Sequence, residues 1–230
     1  MNIMSFYNMA VTRSDTAGPK LNAPNAEGQR PYRSPLRAQR AEETRAKVIS
    51  TASRLFTTKG WVPTGMREVA SGAGVAIETV YSHFSSKRRL LDAVIDIAVV
   101  GDEAPIAVAE RPEFAELGRG SRARRVAAGA SLVTSIHERT APFAKLIREA
   151  ASNDEQMAEV LRATRERQRR DVESGMALII DRTPTAAERD GAWAMLSPEV
   201  YLLLVDETGW TPEQYERWVA ETLDRVLPRS

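Results

Sequence analysis

Three consecutive cations, Lys87, Arg88 and Arg89, stand just beyond Ser85, a residue suited to capping a helix. The first turn of a helix carries partial positive charge, so each cation there costs roughly 0.3–1 kcal/mol near the surface. An anion docked on the same turn reverses that sign, and a phosphate held by helix-terminal amides together with Lys87 is the chemistry this cluster suits. The plainer alternative is a solvated basic surface. Residues for bond-making chemistry are scarce. There are two histidines, His83 and His137, and no cysteine, which removes disulfides, thiolate metal sites and cysteine nucleophiles. No Gly-x-Ser-x-Gly elbow or metal-ligand spacing occurs. Asp154 and Glu155 are adjacent, and adjacent residues on a helix do not face each other. These residues predict a binding protein without metal or cofactor, and no enzyme.

The elements that must position the cluster are helical. Val48, Ile49, Ala52, Leu55 and Phe56 recur at i, i+1, i+4, i+7 and i+8, one apolar face of a first helix that Lys59-Gly60 closes. Thr64 can cap a second helix through Met66, Val69 and Ala70 to Ala73. Gly74 permits the tight turn into a short third helix, Ala76 to Ser82, with Val75 as a plug beneath it. Ser85 caps a fourth, whose buried side carries Leu90, Leu91, Val94, Ile95 and Ala98. The third helix is too short to persist alone, so the first and fourth must brace it and leave its outer face free for a groove. Val69, Val80 and Phe84 read as core.

Charge agrees with this placement. The net charge is +2 over residues 1–35, +5 over 36–92 and −6 over 93–230, so the polyanion would meet the first part of the chain. Residues 1–36, rich in Pro, Gly, Asn and Ser, read as a flexible arm whose Arg13, Lys20, Arg30 and Arg33 could follow phosphates or a minor groove. An inert tail is the alternative.

The run from Gly74 to Leu91, with Gly74-Val75, then Thr79-Val80-Tyr81, His83-Phe84, Lys87 and Leu90-Leu91, resembles the DNA-binding head of the tetracycline-repressor (TetR) family. Ala52-Ser53-Arg54-Leu55-Phe56 and Lys59-Gly60-Trp61 resemble that family's first helix and its close. The resemblance spans about 55 residues of the head, a length ordinary for a helix-turn-helix unit. It implies base contacts from Ala76, Ile77, Glu78 and Thr79, where a glutamate would accept from cytosine and Thr79 or Ile77 would meet a thymine methyl. It implies phosphate contacts from Thr64, Arg67, Tyr81, His83 and Lys87. Two departures leave the operator sequence open: Ala76 stands where the family often has a capping Ser or Thr, and Ile77 is apolar for a groove surface.

Beyond Gly101 the pattern predicts helices near 122–139, 142–151, 155–181, 185–206 and 212–226, with no strand. The organisation expected is an arm (1–36), a head (37–100) and a helical effector-binding and dimerisation domain (101–230), all-α throughout. Trp193, Leu196, Val200, Leu203 and Leu204, then Trp218, Val219, Leu223 and Val226, form two apolar stripes suited to a two-fold four-helix interface or to closing the monomer core. The same resemblance implies an effector pocket, for which His137, Phe143, Met176, Trp193 and Tyr201 are the candidates. Arg162, Arg165, Arg167, Arg169 and Arg170 read as a solvated face among acids. No apolar run reaches the roughly 18 residues of a membrane span and no secretory leader is visible, so a cytoplasmic protein is expected. The function expected is a dimeric repressor that a small-molecule effector releases from double-stranded operator DNA. The alternatives are a helical dimer acting through protein partners, and, more remotely, a helical enzyme.

Overall fold

The computed structural model describes residues 35–102 and 108–227. Arg13, Lys20, Arg30 and Arg33 lie outside the described residues. The chain divides into an N-terminal unit, Met1–Ala38, and a unit Gln39–Ser230 that holds all but the first residues of the first helix described below.

Four helices form the head. The first, α1 (Pro35–Lys59), buries Val48, Ile49, Ala52, Leu55 and Phe56, the face expected from its periodicity. It is followed by α2 (Met66–Ala73), α3 (Ile77–His83) and α4 (Lys87–Val100). Two caps differ from expectation. Gly65, not Thr64, is the N-cap of α2 and has no side-chain bond to give. Ser86, not Ser85, caps α4, its hydroxyl oxygen accepting from the Arg89 amide at 3.2 Å.

After a 3-10 turn at Val108–Glu110, the short α5 (Pro112–Ala115) and a second 3-10 turn at Glu116–Gly118, the chain enters α6 (Arg122–Ala151). This is one helix, where the sequence predicts a break between 139 and 142. Pro142 removes one backbone donor, a defect worth about 3 kcal/mol in an exposed helix. Here Thr140, Ala141, Phe143, Leu146 and Ile147 are buried around it, and that packing keeps the helix continuous. Asp154 caps α7 (Glu155–Ile180) by accepting the Gln156 and Met157 amides at 2.9 and 3.2 Å. The single helix expected at 185–206 is instead α8 (Ala186–Met195), then α9 (Pro198–Tyr201), running into a π-helical turn at Leu202–Glu207. Ser197 caps α9 with Pro198 in its first turn, a start signal that outweighs the continuing apolar pattern. The last helix, α10 (Pro212–Val226), starts in a capping box of Thr211 and Gln214.

Two cores result. The first joins α1–α4 to Phe143, Leu146, Ile147, Met157 and Val160, so the end of α6 and the start of α7 complete the core of the head. The second gathers Val126, Ala130, Met176, Ile179, Tyr201, Tyr215, Val219 and Leu223. Val219 and Leu223 therefore close the monomer, while Leu203 and Val226 of the same two stripes are 51% and 56% exposed.

Candidate nucleic-acid interface

The turn between α2 and α3 rests on Gly74, at φ 65° and ψ 38°, in the left-handed region. Its amide donates to the Ser71 carbonyl at 3.1 Å and the Val75 amide to that of Ala70 at 3.0 Å, which satisfies the open end of α2. Val75 is half-buried against the head core, as its plug role requires.

This turn sets the rotation of α3. Val80 is fully buried and Ile77, one turn earlier, packs half-buried against the same core. An apolar residue at position 77 thus has its explanation in the interior. Ala76, Glu78, Tyr81 and Ser82 are exposed, and Thr79 is half-buried. Of the four residues expected at base edges, Ala76 and Glu78 stand open and Thr79 partly so, while Ile77 is turned largely to the core.

The expected phosphate contacts divide likewise. Arg67 is exposed, Tyr81 is 52% exposed and His83 is half-buried with its ring 6.2 Å from Phe84. Thr64 is only 1% exposed, and its hydroxyl donates to the Gly60 carbonyl at 2.8 Å, with Leu55 O at 3.3 Å. Its side chain is a buried tie between the end of α1 and the start of α2, and neither caps α2 nor reaches solvent.

Lys87 is half-buried at the first position of α4. Its ammonium donates to the Trp61 carbonyl and sits 4.1 Å from the centroid of the Trp61 ring. Loss of water around it lowers its pKa below the ordinary lysine range, an effect the nearby Asp154 carboxylate opposes. Two of its three N–H donors remain for a further acceptor. Trp61, read from sequence as a mere apolar link, stacks on Phe56 at 5.8 Å and donates from Nε1 to Asp154 Oδ2 at 3.1 Å. Nothing in the sequence pairs positions 61 and 154, although Asn153-Asp154 is a readable helix start.

The candidate effector residues do not converge. His137, Tyr201 and Met176 share the second core, with the His137 and Tyr201 rings 5.5 Å apart. Phe143 belongs to the first core, and Trp193 is half-buried with its Nε1 unpartnered. His137 is 5% exposed and its Nδ1 lies 3.0 Å from the Tyr215 hydroxyl. None of the five lines the cavity of about 290 Å³ where α4 ends against α6, walled by Val99, Phe114, Leu132, Ser135 and Arg139. Four arginines of the α7 series are paired with acids: Arg162 with Glu155 and Glu159, Arg165 with Glu199, Arg167 with Asp96, and Arg169 with Asp190. Among the described residues no three His, Cys, Asp or Glu side chains are placed to hold a metal ion, and no helix is long and apolar enough to cross a membrane.

Residues 48–94 match the family model of bacterial regulatory proteins, tetR family. The HTH-type transcriptional regulator TtgR of Pseudomonas putida is 38% identical over 58 residues, 25% of this chain and 28% of that regulator. The chain thus spans little more than a quarter of that relative's length. Similarity of fold extends further. A tetR-family transcriptional regulator from Streptomyces coelicolor superposes with a TM-score of 0.60 at 19% identity, covering 80% of each chain. The multidrug binding protein EbrR, solved with imidazole, superposes at 0.53 and 21% identity over 82% of this chain and 92% of its own. Residues 48–94 are thus a tetR-family head, and the helical fold of the described residues is similar to that of solved tetR-family regulators.

Proposed function

We propose that this protein is a sequence-specific, DNA-binding transcriptional regulator: a homodimeric repressor whose head (37–100) reads operator DNA and whose body (101–230) dimerises and takes a small-molecule effector. The observation that carries this reading is the outward face of α3, where Ala76, Glu78 and Tyr81 stand exposed on a helix anchored by Val80 and braced by α1 and α4. A seven-residue helix has no stability of its own, so a head that holds its outer face clear of the core is built to present it. The bound form is a double-stranded operator in which two recognition helices, one per protomer, lie about 34–36 Å apart in successive major grooves. Leu203 and Val226 are exposed apolar residues of the last elements of the chain, open to a second copy, and they support the dimer. An effector releases DNA by binding better to a body conformation that respaces the heads.

The test is selection of duplexes from a random pool with the full chain, followed by titration at two salt concentrations. A palindromic consensus, bound two chains per duplex with affinity that falls steeply with salt, supports the reading. Failure to enrich any sequence, with no binding at low salt, overturns it in favour of a dimer that works through protein partners.

A further inference from the structure

The Asp154 carboxylate serves two partners at once. Its Oδ1 accepts the first free amides of α7, while Oδ2, turned away from that helix, accepts Trp61 Nε1 at 3.1 Å across 93 positions of sequence. Trp61 is thereby fixed on three sides: Phe56 stacks beneath its ring, Asp154 holds its edge, and the Lys87 ammonium lies over the ring at 4.1 Å while donating to the Trp61 carbonyl. A lysine has four rotatable carbon bonds and an ammonium without directional preference, so its position at a helix start is set by whatever supports it. Here the support is the Trp61 ring and carbonyl, and the one hydrogen bond to the ring's edge comes from a residue outside the four helices of the head.

We propose that Asp154 is a positioning residue for DNA binding: from the start of α7 it holds Trp61, and Trp61 holds Lys87 where a DNA phosphate meets α4. This rests on the DNA-binding reading and on Lys87 as a phosphate contact. It adds a function for Asp154 beyond helix capping.

The experiment uses the full chain and a duplex selected with the unaltered protein, measuring affinity across a salt series for Lys87→Ala, Asp154→Asn, Trp61→Phe and the Lys87→Ala/Asp154→Asn pair. The asparagine oxygen still caps α7, but its amide nitrogen cannot accept from Trp61. Trp61→Phe keeps an aromatic ring while removing the donor and part of the ring surface, and it leaves the cap of α7 untouched, so it carries the test should Asp154→Asn melt the helix. Asp154→Asn and Trp61→Phe are each expected to weaken binding about three- to tenfold and to lower the salt slope by up to about one, as Lys87→Ala does. In the Lys87→Ala background, Asp154→Asn is expected to add nothing. Equal losses from Asp154→Asn in both backgrounds, or a loss with unchanged salt slope, would show a cap and nothing more. Unchanged affinity for Lys87→Ala overturns the proposal while leaving DNA binding intact. Failure of the unaltered protein to select any duplex overturns the DNA-binding reading itself, and the proposal with it.

Discussion

The Tyr215 hydroxyl lies 3.0 Å from His137 Nδ1, tying α10 to the middle of α6 inside the second core. Burial lowers the histidine pKa to about 4, with the Glu199 charge and a main-chain hydrogen bond at Leu196 opposing the shift. His137 is therefore neutral in the folded state at pH 5, whereas the unfolded chain protonates it near the ordinary histidine value of 6.5. Its contribution to stability is complete above that value and is lost as pH falls toward the folded pKa. Lowering the pH from 7 to 5 should cost about 2 kcal/mol from this residue. Urea titrations at both values measure it, and His137→Gln should remove that part of the pH dependence. An unchanged pH dependence in the variant would place the titration elsewhere.

Thr64 is expected to matter for folding more than for DNA. Its hydroxyl donates to the Gly60 carbonyl just past α1, with the Leu55 carbonyl 3.3 Å away, and has almost no exposed surface. Thr64→Val, nearly equal in shape, leaves the Gly60 carbonyl without that donor and should lower stability by about 1 kcal/mol. Operator affinity measured well below the melting temperature should hardly change. A large affinity loss with unaltered stability would return Thr64 to the list of DNA contacts.

Tyr81 is the opposite case. With 52% of its surface open it supports little of the core. Tyr81→Ala should leave stability within about 0.5 kcal/mol while weakening operator binding roughly tenfold. Thermal melting beside a binding titration separates the two effects, and a destabilised variant with normal affinity would contradict the assignment.

Gly74→Ala probes the turn alone. The added methyl group would meet the Lys47 ammonium at an ordinary 3.6 Å, so the penalty comes from φ of +65° and not from crowding. The expected cost is about 1–2 kcal/mol of stability. Chemical denaturation checks it, and a neutral result would mean that the α2–α3 turn relaxes without harm to the head.

Much of the head was legible in the sequence because its information is local. The apolar face from Val48 to Phe56, the glycine turn at Gly74 and the burial of Val69, Val80 and Phe84 follow from helical periodicity and backbone sterics over a few residues, and the family match falls on the same stretch. Three features depended on contacts between distant positions. Pro142 reads as a helix break until its buried neighbours in α6 are seen to hold it. Ile77 reads as a groove residue until the rotation of α3 turns it to the core. Trp61, Lys87 and Asp154 read as a link, a phosphate contact and one of two adjacent acids, and only the packing of α7 against the head joins them. Periodicity tells which residues are buried, but it carries no record of which buried faces meet. That is decided by the cores that α6 and α7 complete.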